Sequence, residues 1–232
     1  MGKFALVTGG GGSVGRGLCL AFAAAGYDIA ILGRTESKLV GTAREVARLH
    51  PARRVVSSVV DVRDTERMEH AINEAIAQLG QLAIFVHAAA VHHWCTINRS
   101  NSADIDEELD VNLRAGMHAT RIVAPHMMAN NEGAIIFITS WLTQQLGWPG
   151  TGVYLTSKFG LHGFGRAVFE DLRNHNVKCS TICPGFIESD GMGKDFATQF
   201  GDYVSLQPQQ MLAVCTQLSS SHLDLMQSIT IV

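Results

Sequence analysis

The sequence predicts an α/β fold in which a parallel β-sheet is covered by helices on both faces. Short apolar runs alternate along the chain with longer stretches of helical period, which is typical of βαβ units. The 232 residues include 23 glycines and only 5 prolines, a composition that suits a compact chain with many tight turns. We therefore expect a single doubly wound domain over 1–232, with about seven strands and with ligands at their carboxyl ends.

The predicted elements follow each other in a regular order. Apolar runs predict strands at 3–8, 28–33, 55–60, 82–88, 133–139, 177–183 and 227–232. Helical periods predict helices at 14–25, 36–49, 64–79, 103–130, 152–175 and 208–218. The one long connection is predicted to form a substrate lid at about 186–207, because long segments in compact domains are often functional.

Composition and charge argue against several classes of protein. The net charge is −3 and lysines and arginines form no clusters, so we expect no nucleic-acid partner. The chain shows neither a signal-peptide pattern nor an apolar run of membrane-spanning length, and its five cysteines lack CxxC spacing. These features predict a cytoplasmic protein. No carboxylate completes a site with His92, His93 and Cys95, so we expect no metal ion.

A glycine-rich turn, TGGGGSVG from Thr8 to Gly15, follows the first predicted strand and leads into a helix. Glycines let a backbone approach a pyrophosphate, and a helix N-terminus offers unpaired N–H groups to it. Gly10, Gly12 and Gly15 also satisfy the GxGxxG pattern of dinucleotide sites. The residues expected to bind the nucleotide here are Thr8, Gly9, Gly12, Ser13, Val14 and Gly15.

A tyrosine and a lysine lie four residues apart at the start of the predicted helix 152–175. This spacing places Tyr154 and Lys158 on one helical face. An ammonium group stabilises a nearby phenolate, so we expect it to lower the pKa of Tyr154 towards a range useful for proton transfer. Ser140 ends the predicted strand 133–139, at the sheet edge where ligands bind in such folds.

Together these motifs resemble the short-chain dehydrogenases/reductases, in the branch with chains of about 250 residues. The glycine turn is similar to that family's TGxxxGxG motif, although Ser13 replaces its middle glycine. Tyr154 and Lys158 match YxxxK, Ser140 matches the catalytic serine, and Asp110-Val111-Asn112-Leu113 matches the helix element with the catalytic asparagine. The resemblance runs over essentially the whole chain and implies a Rossmann fold.

The resemblance also implies roles for individual residues. Tyr154 would be the general acid and base, Ser140 would hold the substrate oxygen, Lys158 would bind the nicotinamide ribose, and Asn112 would order a water for proton transfer. The remaining expected nucleotide contacts are Asp61 and Val62 at the adenine, Ala88 and Ala89 after the fourth strand, and Pro184, Gly185, Ile187 and Ser189 at the nicotinamide. Asp61 has a second interpretation as a helix cap, and His87 is interpreted as a packing residue.

Cofactor type is predicted from the end of the second strand. Gly33 provides no carboxylate for the adenosine ribose, and Arg34 suits the 2′-phosphate, so NADP(H) is favoured over NAD(H). In the alternative, Arg34 is a solvated residue and Glu36 is an acid of the NAD type. The predicted reaction is hydride transfer between NADP(H) and a ketone, aldehyde or secondary alcohol. The competing hypothesis is a catalytically weak nucleotide sensor or scaffold.

Partners and substrate are predicted in outline. The substrate is expected to be a small carbonyl or alcohol compound, and an apolar one if Trp94, Trp141, Leu142 and Trp148 line its pocket. A homodimer is expected through the helices 103–130 and 152–175, with a homotetramer as the larger alternative. The apolar set expected at that interface is Leu161, Phe164, Val168 and Leu172.

Overall fold

The computed structural model describes residues 2–144, residues 147–185 and the strand 227–231. Its strands are β1 (Lys3–Thr8), β2 (Asp28–Gly33), β3 (Val55–Val59), β4 (Gln81–His87), β5 (Gly133–Ile138), β6 (Val177–Pro184) and β7 (Gln227–Ile231). Its main helices are α1 (Ser13–Ala24), α2 (Glu36–Leu49), α3 (Thr65–Leu79), α4 (Ser102–Leu109), α5 (Ala115–Ala129) and α6 (Gly152–Leu172). The predicted helix 208–218 and the predicted lid lie outside the described residues.

All seven strands form one parallel sheet in the order β3-β2-β1-β4-β5-β6-β7, which confirms the predicted α/β fold. Strand order reverses between β1 and β4, the two neighbours at the centre of the sheet. In an open sheet of this kind the crevice at the carboxyl ends of those strands is the usual ligand site. The topology therefore places a site after Thr8 and His87, the last residues of the two strands.

The strands carry continuous apolar runs because both faces of the sheet are buried. In β5 all six residues are buried, whereas the edge strand β3 is mostly half-exposed. One core cluster packs this sheet against α3, α5 and α6, and a second packs its other face against α1 and α2. Within the described parts of the chain, every helix is too short or too polar to cross a lipid bilayer.

The predicted helix 103–130 is interrupted by a π-helical turn, Asp110–Arg114, between α4 and α5. Such a turn inserts an extra residue into the helix, and π-turns are frequent at functional sites. The insertion changes the angular phase between the residues before and after it. The sequence pattern did not reveal this change because the apolar period on either side is weak.

The apolar set predicted for a dimer interface is mostly part of the protein's own core. Leu161 is fully buried, Val168 and Leu172 are almost so, and Phe164 is partly buried against the same cluster. The prediction was wrong about these residues because α6 packs them against the sheet of its own chain. The large apolar side chains that α5 and α6 do expose are Met117 and Phe159.

Candidate functional site

Two adjoining cavities open along the carboxyl edge of the sheet. We call the first, about 250 Å³ in volume, the glycine groove, since Gly9, Gly12, Arg34 and Lys38 line it. We call the second, about 320 Å³, the tyrosine pocket, since Ser140, Tyr154 and Lys158 line it. Both cavities are lined by Ala88, Ala90 and Val91, which follow β4. One elongated ligand would therefore extend from the groove into the pocket across these small residues.

At two positions of the glycine turn a side chain would collide with backbone atoms. Gly9 has a φ of +69°, and a Cβ there would lie 2.8 Å from the Ala89 backbone. A Cβ on Gly15 would lie 2.3 Å from the Gly9 carbonyl oxygen, whereas one on Gly12 would meet only that oxygen at 3.4 Å. Gly10 and Gly11 are closed by side chains instead, since a Cβ there would lie 2.3 Å from Ile31 Cγ2 and 2.8 Å from Lys38 Cβ. Ser13 is the first residue of α1, and Gly12 precedes it in an extended conformation.

Thr8 and His87 join the glycine turn to the end of β4. The Thr8 hydroxyl oxygen accepts hydrogen bonds from the backbone N–H groups of Ala88 and Ala89 at 3.2 and 3.3 Å. Burial lowers the pKa of His87 to about 3, so its ring is neutral. Its Nδ1 lies 3.0 Å from the Thr8 hydroxyl, and its Nε2 lies 3.2 Å from the Val111 carbonyl oxygen. Thr8 therefore holds the backbone of Ala88 and Ala89 in place without lining either cavity itself. His87 is a buried packing residue.

The rim of the glycine groove carries a network of charges. Arg34 Nη1 donates to Glu107 Oε1 at 3.0 Å, and Arg63 Nη1 lies 3.7 Å from the same carboxylate oxygen. A hydrogen bond from His93 and the two guanidinium groups hold the pKa of Glu107 below its usual range. Arg34, which lines the groove, has a side chain that is 49% exposed. Glu36, by contrast, is an exposed residue in the first turn of α2.

Asp61 does not cap a helix. Its carboxylate accepts from the Arg63 guanidinium at 2.6 Å, and this partner lowers the pKa of Asp61. The cap of α3 is Asp64, whose side chain accepts from the Arg67 backbone N–H at 3.0 Å. The cap lies three residues later than the alternative interpretation placed it, because the chain makes an additional turn after β3. Val62, the other predicted adenine contact, lines the glycine groove.

Tyr154, Ser140 and Lys158 meet in the tyrosine pocket. Ser140 is hydrogen-bonded to Tyr154, despite the longer connection between them. The Lys158 ammonium donates to the Ile138 carbonyl oxygen at 3.0 Å and lies 5.6 Å from the centre of the Tyr154 ring. Residues of β5, the turn after it and the first turns of α6 thus converge on one point.

The pKa of Tyr154 is raised to about 12, opposite to the expected direction. Burial dominates because it disfavours the charged phenolate, and the hydrogen bond with Ser140 offsets only part of this effect. Burial also lowers the pKa of Lys158 to about 8. At neutral pH this arrangement therefore holds Tyr154 as a neutral phenol, which is a proton donor.

Asn112 fastens the segment after β4 to α6. Its side-chain oxygen accepts from the Val91 backbone N–H at 2.8 Å. Its amide nitrogen donates to the Val91 carbonyl oxygen at 2.9 Å and to the Ser157 hydroxyl at 3.0 Å. Both amide hydrogens are therefore engaged in holding the pocket together. The expected water-ordering role of Asn112 stays a prediction.

Aromatic side chains form the walls of the tyrosine pocket. The His92 ring stacks on the Tyr154 ring with centroids 4.3 Å apart, and the Trp94 ring lies 5.0 Å from His92. Trp141 and Trp148 meet edge to face at 5.6 Å. His92 keeps an exposed edge, but desolvation of its ring in the pocket lowers its pKa to about 4, so this ring is neutral as well. Sequence reasoning considered His92 only as a metal ligand. Its position shortly after the end of β4, at the ligand edge, was the available signal for a role in the pocket.

The other predicted contacts divide between the two cavities. Ala88 lines both, Ala89 lines the groove, and Val14 lines the pocket. Pro184 and Gly185 line the pocket at the end of β6. Ile187 and Ser189 lie outside the described residues. The predicted pocket residues Trp94, Trp141, Leu142 and Trp148 all line the tyrosine pocket.

A glycine groove at the switch point of a parallel sheet, leading to a half-buried tyrosine beside a buried serine and lysine, is typical of nucleotide-dependent oxidoreductases. The chain belongs to the short chain dehydrogenase family, whose model matches residues 3–199. It is therefore a member of an oxidoreductase family that acts on alcohol and carbonyl groups.

Individual relatives agree with this assignment. A 3-oxoacyl-[acyl-carrier-protein] reductase of Staphylococcus epidermidis is 28% identical over 193 residues, which cover 82% of this chain and 77% of the relative. The crystal structure of a dehydrogenase/reductase from Sinorhizobium meliloti shares 28% identity at a TM-score of 0.90, covering 99% of this chain and 93% of that one. An NADPH-dependent 3-quinuclidinone reductase from Rhodotorula rubra shares 25% identity at a TM-score of 0.90, covering 99% and 90%.

Proposed function

We propose that the protein is an NADP(H)-dependent carbonyl reductase for apolar ketones or aldehydes, with Tyr154 as the proton donor. The observation that carries this proposal is the neutral, half-buried phenol of Tyr154 beside Ser140 in a largely apolar, aromatic pocket. A carbonyl oxygen that accepts from both hydroxyls is polarised and ready to receive a proton. The raised pKa of Tyr154 favours reduction, because the phenol already holds the proton that this direction consumes.

The glycine groove fits a dinucleotide. Gly9, Gly11 and Gly12 line it without side chains that would keep a pyrophosphate at a distance, and α1 directs its N-terminus towards the turn. When bound, NADPH supplies the hydride that adds to the carbonyl carbon. The proton that completes the alcohol comes from Tyr154. Lys158 offers its ammonium group to the ribose hydroxyls, and Asn112 keeps the wall of the pocket in place.

Arg34 supports the choice of NADP(H). It lines the glycine groove together with Lys38, and neither Gly33 nor Thr35 offers a carboxylate to the ribose diol. A 2′-phosphate has to displace Glu107 from Arg34, but an exposed ion pair of this kind contributes only about 0–1 kcal/mol. Glu107 keeps Arg63 and His93 as partners after the exchange. Replacing Glu107 by the phosphate therefore costs little free energy, and the Arg34 guanidinium group can pair with the phosphate in a bidentate geometry.

A substrate screen with both cofactors tests the proposal. Consumption of NADPH and NADH should be followed with a panel of aliphatic, aromatic and charged ketones and aldehydes. We expect turnover with the apolar carbonyls, faster with NADPH than with NADH. Binding of the nucleotide without turnover of any carbonyl would instead support a nucleotide-sensing or scaffold protein. Turnover restricted to charged carbonyls would leave the reaction in place and overturn the apolar substrate class.

A further inference from the structure

One carboxylate of α4 points away from solvent. Asp104, Asp106 and Glu107 are exposed or half-exposed, whereas Glu108 is only 1% exposed and is the one buried residue of the helix. Burial of a carboxylate is unfavourable unless neighbouring groups compensate for the lost hydration. Its surroundings must therefore account for the presence of Glu108 in the protein interior.

Hydrogen bonds satisfy Glu108 only in part. Its Oε1 accepts from the His93 backbone N–H, while its Oε2 is buried and has no hydrogen-bond partner among the described residues. The His93 ring is engaged elsewhere, since its Nε2 lies 2.9 Å from Glu107 Oε2 and its Nδ1 lies 3.8 Å from Asp104. A buried, half-satisfied carboxylate of this kind needs a cation nearby.

That cation is Lys158. Helix α4 packs against α6, and Lys158, itself only 2% exposed, lies within electrostatic range of Glu108. The titratable rings of His87 and His92 also lie within range of Lys158, but both are neutral. Among the described residues, Glu108 is therefore the charged side chain that acts on the buried ammonium group.

We propose that Glu108 is a positioning residue, whose carboxylate is the counter-charge that keeps Lys158 protonated next to Tyr154 and so sets the pH range of proton transfer. This inference rests on the proposed function of Tyr154 and Lys158. Glu108 lines neither cavity and acts only through these two residues.

The electrostatic directions agree with this role. Burial lowers the pKa of Lys158, and the negative charge of Glu108 opposes that effect. The same charge contributes to the raised pKa of Tyr154. Burial raises the pKa of Glu108 itself, and His93 and Lys158 counteract this effect while Asp104 adds to it. Loss of the carboxylate charge should thus lower the pKa values of Lys158 and Tyr154 together.

The test is Glu108→Gln, which keeps the size of the side chain and an oxygen that accepts from the His93 backbone. Ketone reduction needs the protonated pair and declines as pH rises. In the variant this decline should begin at a pH lower by roughly one unit, with kcat affected and the KM for the ketone nearly unchanged. Glu108→Asp, which retains the charge, should stay close to the wild-type profile. Asp106→Asn removes the same charge from the exposed face of α4 and should not shift the profile.

A second measurement does not depend on activity. The chain has five lysines, so the Lys158 signal in nitrogen-15-lysine-labelled protein can be assigned with Lys158→Arg and titrated without ligand. The inference predicts a midpoint near pH 8 in the wild type and a lower one in Glu108→Gln. An unchanged midpoint overturns it. If the midpoint shifts but no carbonyl is reduced even by the wild type, the proposed function fails and the electrostatic pairing stands.

A folding defect in Glu108→Gln would not leave the inference untested. The carboxyl signals of glutamate in carbon-13-labelled wild-type protein report the ionisation of Glu108 directly, with Glu108→Asp for assignment. The counter-charge role requires that Glu108 is ionised over the pH range in which Lys158 is protonated. A Glu108 carboxyl that stays protonated at neutral pH overturns the inference.

Discussion

The glycine groove and the tyrosine pocket adjoin each other, but their charged groups are controlled by different physical effects. At the rim of the groove, Arg63 pairs with Asp61 and lowers its pKa. The pKa of Glu107 is lowered by a hydrogen bond from His93 and by its pairing with Arg34 and Arg63. In the pocket, burial dominates. It raises the pKa of Tyr154 to about 12 and lowers that of Lys158 to about 8.

The difference is one of dielectric environment. Exposed ion pairs are screened by water and salt, so each contributes little and is easily exchanged for a ligand charge. Buried groups interact through a less polar medium, where one charge or hydroxyl changes the behaviour of its neighbours strongly. The groove is thus suited to exchange partners when a nucleotide binds, while the pocket is suited to hold a proton until the reaction needs it.

The largest effect should come from the pocket. Tyr154→Phe removes the proton donor but keeps the ring that stacks on His92, so turnover should fall by about two orders of magnitude or more while nucleotide binding persists. Steady-state kinetics and nucleotide titration measure the two quantities. Tyr27→Phe, which removes a phenol hydroxyl next to Phe22, is the matched control and should be neutral. Retained turnover in Tyr154→Phe would exclude this residue as the proton donor.

A smaller effect is expected at the groove. Gly33→Asp combined with Arg34→Ala should invert the ratio of kcat/KM for NADPH and NADH, because the new carboxylate repels a 2′-phosphate and accepts from the ribose hydroxyls. The side chain has room, since a Cβ at position 33 meets only the end of Leu39 at 3.1 Å. Arg34→Ala alone should lose roughly tenfold with NADPH, whereas Arg48→Ala, at the far end of α2, should not change the ratio.

If the wild type prefers NADH, or the double variant leaves the ratio unchanged, Arg34 serves only as the partner of Glu107. Glu36 would then be the next residue to substitute. That result would also weaken the contrast between the glycine groove and the tyrosine pocket. The ion pairs at the rim of the groove would then stabilise the fold and would not be exchanged for a ligand phosphate.

The smallest effect concerns stability in acid. His87 has a pKa of about 3 in the folded chain against 6.5 for an unperturbed histidine. As pH falls, His87 therefore takes up a proton in the unfolded chain but not in the folded chain. The contribution of its neutral ring to the free energy of unfolding is complete above about pH 6.5 and is lost as pH falls towards 3. His87→Asn should reduce the slope of the free energy of unfolding against pH in this range by at most about 1.4 kcal/mol per pH unit. Urea unfolding over a pH series measures the slope, and the exposed His70→Asn should leave it unchanged. An equal slope in wild type and His87→Asn would contradict the buried neutral ring.

Much of the glycine groove could be predicted from the sequence because its determinants are local. A glycine turn between a strand and a helix is encoded within eight residues, and Gly9 and Gly15 are positions where backbone atoms leave no room for a side chain. The pairing of Arg34 with Glu107 could not be predicted, because the two residues are 73 positions apart. The same holds for the stack of His92 on Tyr154, which depends on how the segment after β4 lies on α6.

The sequence by itself determined that Tyr154 and Lys158 share a helical face, since a spacing of four residues brings side chains together in any α-helix. It also determined the alternation of strands and helices, since burial of both sheet faces requires continuous apolar strands. Only the tertiary structure decided that Glu107 meets Arg34 while the adjacent Glu108 is buried near Lys158, because the packing of α4 on α6 sets the orientation of α4. The pKa of Tyr154 was decided there too. Its direction depends on how far the phenol is withdrawn from water, and the neighbours that surround it, His92 and Ser140, come from other parts of the chain.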